Sequence, residues 1–395
     1  MNRRILVGFG LAAALLAFVG CEDKNTGGTK AADSGSNAAA PIVIGHYGSL
    51  TGAQATFGKS TDNGIRLAVE EANAAGGVTV NGVKHQVKLV SEDTEGKAEK
   101  AGPVVTKLIT KDQVAAVLGE VASKVSLAGA PVCQQYGVPM ISPSSTNPEV
   151  TQKGDMIFRV CFIDPFQGFA CAKFAHDELK VTKVGVLFDQ ANAYSVGLKD
   201  EFDKAFKKMG GEIVSEQAYN EGDADFNAQL TRIRESNPEV LFVPGYYTDV
   251  ANIALQARKL GMKMPLLGGD GWDSEDLAKN AGAAIEGCYY SNHYAADQPT
   301  PEIQEFVTKY KAKYGSTPDG LAALGYDAAK LLFDAMGRAK SLKGTDLRDA
   351  IASTKGFKGV TGVISINENR DAVKPAVIVE MKNGKPVYRA TVSPT

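Results

Sequence analysis

From Ile42 to Leu267, short apolar runs alternate with longer segments whose apolar residues recur at helical spacing. Ile42–Gly45, Val87–Val90, Val114–Leu118 and Val138–Ile141 read as strands, and Gly58–Ala75, Ala98–Ile109 and Ser123–Tyr136 read as the helices between them. The first of these helices carries Ile65, Val69 and Ala72 on one stripe and stops at Gly76-Gly77, a helix-ending signal. Strand, helix and strand repeated in this way call for a parallel sheet with right-handed crossovers. The pattern pauses between Phe158 and Asp164 and then restarts with strands at Val184–Phe188, Ile213–Tyr219, Val240–Val243 and Leu266–Gly269. Its helices carry the stripes Leu198, Phe202, Phe206 and Met209, then Phe226, Leu230 and Ile233, then Ala251–Leu260. Two such series in tandem imply an α/β chain of two doubly wound lobes. Helices over Pro301–Tyr314, Leu321–Ala339 and Asp346–Ser353, with strands Val360–Ile366 and Ala376–Val379, are too few for a third domain. They complete the two lobes, so the chain must pass between lobes more than once.

A length of 395 residues suits two such lobes, and 44% hydrophobic with 22% charged residues can fill their cores. The net charge of -2, without a Lys/Arg run or a basic patch interleaved with aromatics, gives nucleic acid no footing. Four His, none spaced as a ligand pair, argue against a His-built metal site, and no cofactor is expected. Ahead of the alternating region, Arg3 and Arg4 precede an uncharged apolar run, Ile5–Val19, too short for a comfortable membrane span. Residues 1–20 therefore read as an export signal. The ending Ala17-Phe18-Val19-Gly20-Cys21 resembles the lipobox of bacterial lipoproteins, which implies lipidation of Cys21, although Phe18 stands where Leu is usual. Residues 21–40 have no apolar period and read as a flexible tether. Cys133, Cys161, Cys171 and Cys288 allow three complete pairings or free buried thiols; Cys161–Cys171 is the pair nearest in sequence and is mildly preferred.

The segment Val138–Val150 concentrates the chemistry. A short apolar run is followed by Ser144, Ser145, Thr146 and Asn147, and Pro148 suits a first helical position. In an open α/β sheet, ligands sit outside the carboxyl ends of strands. Hydroxyls followed by backbone N–H groups at a helix start can hold a carboxylate there. Three further features fall at equivalent places: Ser123 opens a helix, Tyr246-Tyr247 follows one strand of the second series, and Asp270 follows another. Ser123 and Thr146 can serve an anionic group, Asp270 an ammonium, and Tyr194 and Tyr246 can cover the ligand with aromatic faces. The set suits a small zwitterion gripped at opposite ends by the two lobes. The plainer alternatives are a solvated capping loop at Ser144–Asn147, a turn at Asp270 and ordinary packing for the tyrosines. No G-x-S-x-G, H-E-x-x-H or C-x-x-C occurs and no His adjoins a candidate nucleophile, so an enzyme is not expected.

From about Pro41 onward the chain resembles the periplasmic branched-chain amino-acid binding proteins, the solute-binding subunits of ABC importers. The resemblance is carried by Gly48-Ser49-Leu50-Thr51-Gly52, Glu71-Ala72-Asn73-Ala74-Ala75-Gly76-Gly77-Val78, Ile141-Ser142-Pro143-Ser144-Ser145-Thr146-Asn147-Pro148-Glu149 and Gly245-Tyr246-Tyr247, in that order. It implies a type I periplasmic-binding fold, two Rossmann-like lobes joined by a three-strand hinge. The implied division is residues 41–160 with 294–364 for one lobe and 161–293 with 365–395 for the other. By the same resemblance, Ser123 and Thr146 bind the ligand carboxylate, the Ser144 carbonyl and the Asp270 carboxylate bind its ammonium, and Tyr194, Tyr246 and Phe57 line the site. Asp270 stands where the best-known relatives have Glu, and Trp272 beside it is expected to reshape the pocket. The implied function is capture of an amino acid, most simply an aliphatic branched one, and its delivery to a membrane permease. The implied partners are that amino acid, the ABC permease subunits and, through the lipid, a membrane, with the body exported and monomeric. Rival readings are a binder of an amide, urea or γ-aminobutyrate, or a sensory subunit that reports a solute to a receptor.

Overall fold

The computed structural model describes residues 39–394. The signal over residues 1–20, lipidation at Cys21 and nearly all of the tether lie outside these residues. Two sheets organise the chain. The first is wholly parallel and runs in the order Val87–Asp93, Ile42–Gly48, Val117–Leu118, Met140–Ser142 and Ile157–Arg159. The second contains Glu212–Tyr219, Lys183–Asp189, Val240–Val243, Leu266–Gly268 and Tyr289–Asn292 in parallel, followed by the antiparallel pair Ala376–Lys382 and Lys385–Val392. In both sheets the first strand in sequence lies between the second and the third. That reversal of strand order opens a crevice at the carboxyl ends, where doubly wound folds place their ligands.

The strand residues explain this layering. Val240–Val243 is buried at every position, as a strand covered by helices on both faces must be. Val117–Leu118 is shorter than the run Val114–Leu118 suggests, but backbone bonds from Ala115 N to Val43 O at 2.8 Å and from Gly45 N to Ala116 O at 2.9 Å continue the pairing. The helices Ala55–Ala74 and Gly320–Arg338 pack closely against each other. A Cβ on Gly64 would lie 2.0 Å from Ala322 O, and one on Gly325 would lie 2.4 Å from Thr61 O, so only glycine permits this approach.

The chain passes between the two lobes three times: after Ile157–Arg159, after Tyr289–Asn292, and again before Ala376–Lys382, from a separate small antiparallel sheet of Phe357–Gly359, Gly362–Ile366 and Ala372–Val373. The pause near Phe158–Asp164 is therefore a real passage, but two elements there escaped the periodicity. Ile157–Arg159 is a strand, and Asp164–Lys173 is a helix packed on Ala193–Lys208. Arg159 and Gln167 break the apolar spacing because both are buried polar residues with partners. Cys133, Cys161, Cys171 and Cys288 are all buried free thiols, so the preference for a Cys161–Cys171 bond is corrected. The Cys161 thiol meets Ser145 O and the Cys171 thiol meets Gly268 O, so each serves a different loop. Among the described residues no helix is long and apolar enough to cross a membrane.

Candidate functional site

The hydroxyl-rich loop forms one rim because the strand Met140–Ser142 ends there and a short 3-10 helix, Pro148–Lys153, begins. Asn147 caps that helix, its Oδ1 accepting from Glu149 N at 2.9 Å. Ser142 Oγ and Ser145 Oγ donate to Glu120 O at 2.8 and 2.9 Å, which ties this loop to the neighbouring strand end. Glu120 is itself buried, accepting from Ser49 Oγ at 2.7 Å and Ala122 N at 2.6 Å, and burial pushes its carboxyl up to about 7. Ser123 is the first residue of the helix Ser123–Tyr136, and its Oγ accepts from Asn147 N at 3.3 Å. Ser144 Oγ is buried and has no hydrogen-bond partner among the described residues, while buried Thr146 Oγ1 adjoins the buried Asp164 carboxyl, which burial pushes up to about 8. Most buried polar groups find partners, so the Ser144 hydroxyl is consistent with a rim built to receive an outside group.

Beneath the loop lies Arg159, fully buried. Its Nε pairs with Asp371 Oδ1 at 2.7 Å, its Nη2 donates to Asn147 O at 2.9 Å, and its Nη1 donates to Ser145 O. One guanidinium thus fixes the backbone of the rim and bonds it to the third passage between lobes.

The opposite rim follows the strand Leu266–Gly268, where Asp270 starts the turn Asp270–Trp272. The Asp270 carboxyl is buried. Gln167 Nε2 donates to its Oδ1 at 2.7 Å, the Tyr194 hydroxyl donates to the same oxygen at 2.9 Å, and His293 Nε2 lies 3.0 Å from its Oδ2. Asn192 places Tyr194 by accepting its N–H at 3.0 Å at the start of the helix Ala193–Lys208. Burial keeps the Tyr194 phenol well above its ordinary range, so it remains a donor. Tyr194 and Tyr246 stack with centroids 5.2 Å apart, and Tyr246 meets Phe57 edge-on at 5.5 Å. Trp272 does not enter the pocket, which corrects that expectation. Its ring is wholly buried against Gly268, and its Nε1 donates to Val243 O at 2.9 Å.

Phe57, Val121, Ser123, Ser144, Tyr194, Tyr246, Asp270, Gly271 and Leu321 surround one void of about 10 Å³, about the room of a single water. Six of the seven residues singled out from the sequence therefore face a common space. Thr146 does not line it. Its carbonyl accepts from Asp164 N at 3.0 Å. Val121 and Leu321 add an apolar wall beside Phe57. Arg159, Gln167 and His293 were not anticipated; none lies on a periodic stripe or in a distinctive motif. A wider groove of about 640 Å³ runs past Phe306, Tyr326, Lys330 and Arg338, away from both sets of strand ends. Polar bonds that join the two rims include Gln54 Nε2 to Glu221 Oε1 at 2.8 Å, Thr56 Oγ1 with Ser274 Oγ at 2.9 Å, Tyr247 OH to Ala53 O at 2.9 Å, Asn147 Nδ2 to Ala193 O at 2.9 Å and Gly320 N to Asp273 Oδ2 at 2.5 Å.

The arrangement can hold an anion on hydroxyls and a cation on a carboxylate. It lacks an activated nucleophile: burial pushes the Cys161 and Cys171 thiols up to about 12, and His293 bonds to Asp270 rather than to a hydroxyl.

Residues 41–386 match the family described as periplasmic binding protein. The chain is 31% identical to a Leu/Ile/Val-binding protein homolog of Brucella abortus over 354 residues, 89% of this chain and 93% of that one. A leucine binding protein of Thermotoga maritima superposes with a TM-score of 0.85 at 40% identity, covering 89% of this chain and 99% of that one. A branched-chain amino acid transporter substrate binding protein of Streptococcus pneumoniae, solved in complex with isoleucine, superposes with a TM-score of 0.84 at 34% identity, covering 90% and 100%.

Proposed function

This chain belongs to the periplasmic binding protein family, and from that premise we propose that it captures an aliphatic, branched-chain amino acid between its lobes and delivers it to an ABC permease. The observation that carries the reading is that the Ser123 and Ser144 side chains on one rim and the buried Asp270 carboxylate on the other border one void. A zwitterion satisfies both rims at once, whereas a simple anion or cation satisfies one. The amino-acid binding named for the relatives supports the same choice.

In this reading Ser123 and Thr146 hold the carboxylate, and Asp270, with the Ser144 carbonyl, holds the ammonium. Tyr194 and Tyr246 cover the backbone of the ligand, and Phe57 meets its side chain. The lobes are residues 41–160 with 294–364 and residues 161–293 with 365–395. They part to admit the ligand and close on it, because only the closed form places both rims on one molecule. The bonds joining the rims stabilise closure and break on opening. The body works as an exported monomer, held to a membrane by a lipid on Cys21 after loss of residues 1–20, with residues 21–40 as its tether.

A thermal-shift panel tests the ligand class. Leucine, isoleucine and valine should raise the melting temperature, since a ligand at one hundred times its Kd adds about 2.7 kcal/mol. A short amide, urea and γ-aminobutyrate should leave it nearly unchanged. A shift with one of those solutes and none with amino acids would overturn the assignment. Asp270, shorter than the Glu of the best-known relatives, is the residue that would favour such a solute.

A further inference from the structure

Asp270 offers two oxygens and about four acceptor positions. Oδ1 receives two donors, Gln167 Nε2 and the Tyr194 hydroxyl, so it is filled. Oδ2 faces His293 Nε2 at 3.0 Å. A carboxylate only accepts, so the proton of that bond sits on Nε2. Burial holds the ring near a pKa of about 4 against the pull of Asp270, so at neutral pH it is an uncharged donor and not a competing cation. One acceptor position of Asp270 is left, and it lies on Oδ2.

The imidazole is itself fixed from several sides. Phe162 stacks on it with centroids 3.8 Å apart and planes 21° from parallel, and His293 N donates to Asn292 Oδ1 at 2.7 Å. Phe162 lies on the first passage between lobes and His293 on the second. Buried Lys374, on the third, acts electrostatically on the ring. His293 also borders a cavity of about 270 Å³ lined by Thr361, Glu302 and Lys358, and its Nδ1 has no partner among the described residues. Nothing thus holds the ring by Nδ1; its orientation comes from the Phe162 stack and the bond to Asp270.

We propose that His293 is the positioning residue of the ammonium subsite: its Nε2–H turns the Asp270 carboxyl so that the one remaining acceptor on Oδ2 meets the ligand's ammonium. An Asp carboxyl rotates in a broad, two-fold well, so a donor on each oxygen is what fixes its plane. A shortened acid needs that fixing, because its reach leaves little tolerance in direction. The inference rests on the amino-acid reading above, and the experiment separates the two.

Calorimetry would compare leucine with 4-methylpentanoate, which keeps the side chain and carboxylate but lacks the ammonium, on the wild type, His293→Phe and His293→Gln. His293→Phe keeps the stack on Phe162 and removes the donor. It should lower leucine affinity about tenfold to a hundredfold, as expected for a hydrogen bond to a charged group. Its effect on 4-methylpentanoate should stay within about threefold, because that ligand makes no use of the oriented oxygen. His293→Gln restores a neutral N–H at a similar reach and should return leucine affinity to within about threefold of wild type. If His293→Phe fails to fold, His293→Met against His293→Gln makes the same comparison. Unchanged leucine affinity without the donor, equal losses for both ligands, or no rescue by Gln would each overturn the assignment. A wild-type protein that binds no amino acid would instead overturn the ligand reading, and this inference with it.

Discussion

Replacing Asp270 with alanine should weaken leucine binding by about 2 kcal/mol or more, the range for truncating one member of a buried, hydrogen-bonded charge pair. Asp270 is the acid whose side chain lines the void between the rims. Its removal leaves an incoming ammonium without its counter-charge in a place water barely reaches. It also strands the donors on Gln167, Tyr194 and His293, which now converge on one carboxylate. Asp270→Asn is the sharper control, because it keeps the shape and removes the charge. Both variants should lose affinity for the amino acid, and Asn should not rescue it. Titration calorimetry reads the change directly; an affinity within about twofold of wild type for Asp270→Ala would take Asp270 out of the site.

Arg159→Ala should destabilise the fold by about 3–5 kcal/mol, because it leaves Asp371 as an uncompensated buried charge. The same change unties Ser145 O and Asn147 O, so the hydroxyl rim loses its support as well as its stability. Lysine should not substitute, since one ammonium cannot reproduce a planar fork that bonds an acid and two carbonyls in different directions. Urea denaturation of wild type, Arg159→Ala and Arg159→Lys measures the effect. A loss under about 1 kcal/mol for the alanine variant would mean that the buried pair contributes little to holding the rim.

The contrast between these two residues shows what the sequence made legible. Asp270 follows an apolar strand run and so falls where a doubly wound sheet gathers its ligand groups. Ser123, Ser144 and Tyr246 are readable for the same reason, because strand ends can be found from apolar spacing alone. Arg159 stands in a stretch where that spacing stops, and nothing local distinguishes a buried arginine from a solvated one. Gln167 and His293 act on Asp270 across 103 and 23 residues of chain, separations that no periodic pattern encodes. Apolar spacing does not mark the strand Tyr289–Asn292 because it is half polar; its Ser291 hydroxyl accepts from Gln167 Nε2 at 2.9 Å in the interior. Trp272 stays out of the pocket because adjacency to Asp270 in sequence says nothing of direction, and the turn sends the indole into the core. The free thiols follow from packing: each cysteine fills space beside a different loop of an already large core.

The most direct test is a crystal structure of the protein grown with leucine. Leucine should lie between the two sheets, its carboxylate within hydrogen-bond distance, roughly 2.7–3.2 Å, of Ser123 Oγ and Thr146 Oγ1. Its ammonium should rest on Asp270 Oδ2. Leucine bound to one rim only, or bound at the outer groove beside Tyr326 and Lys330, would contradict that placement.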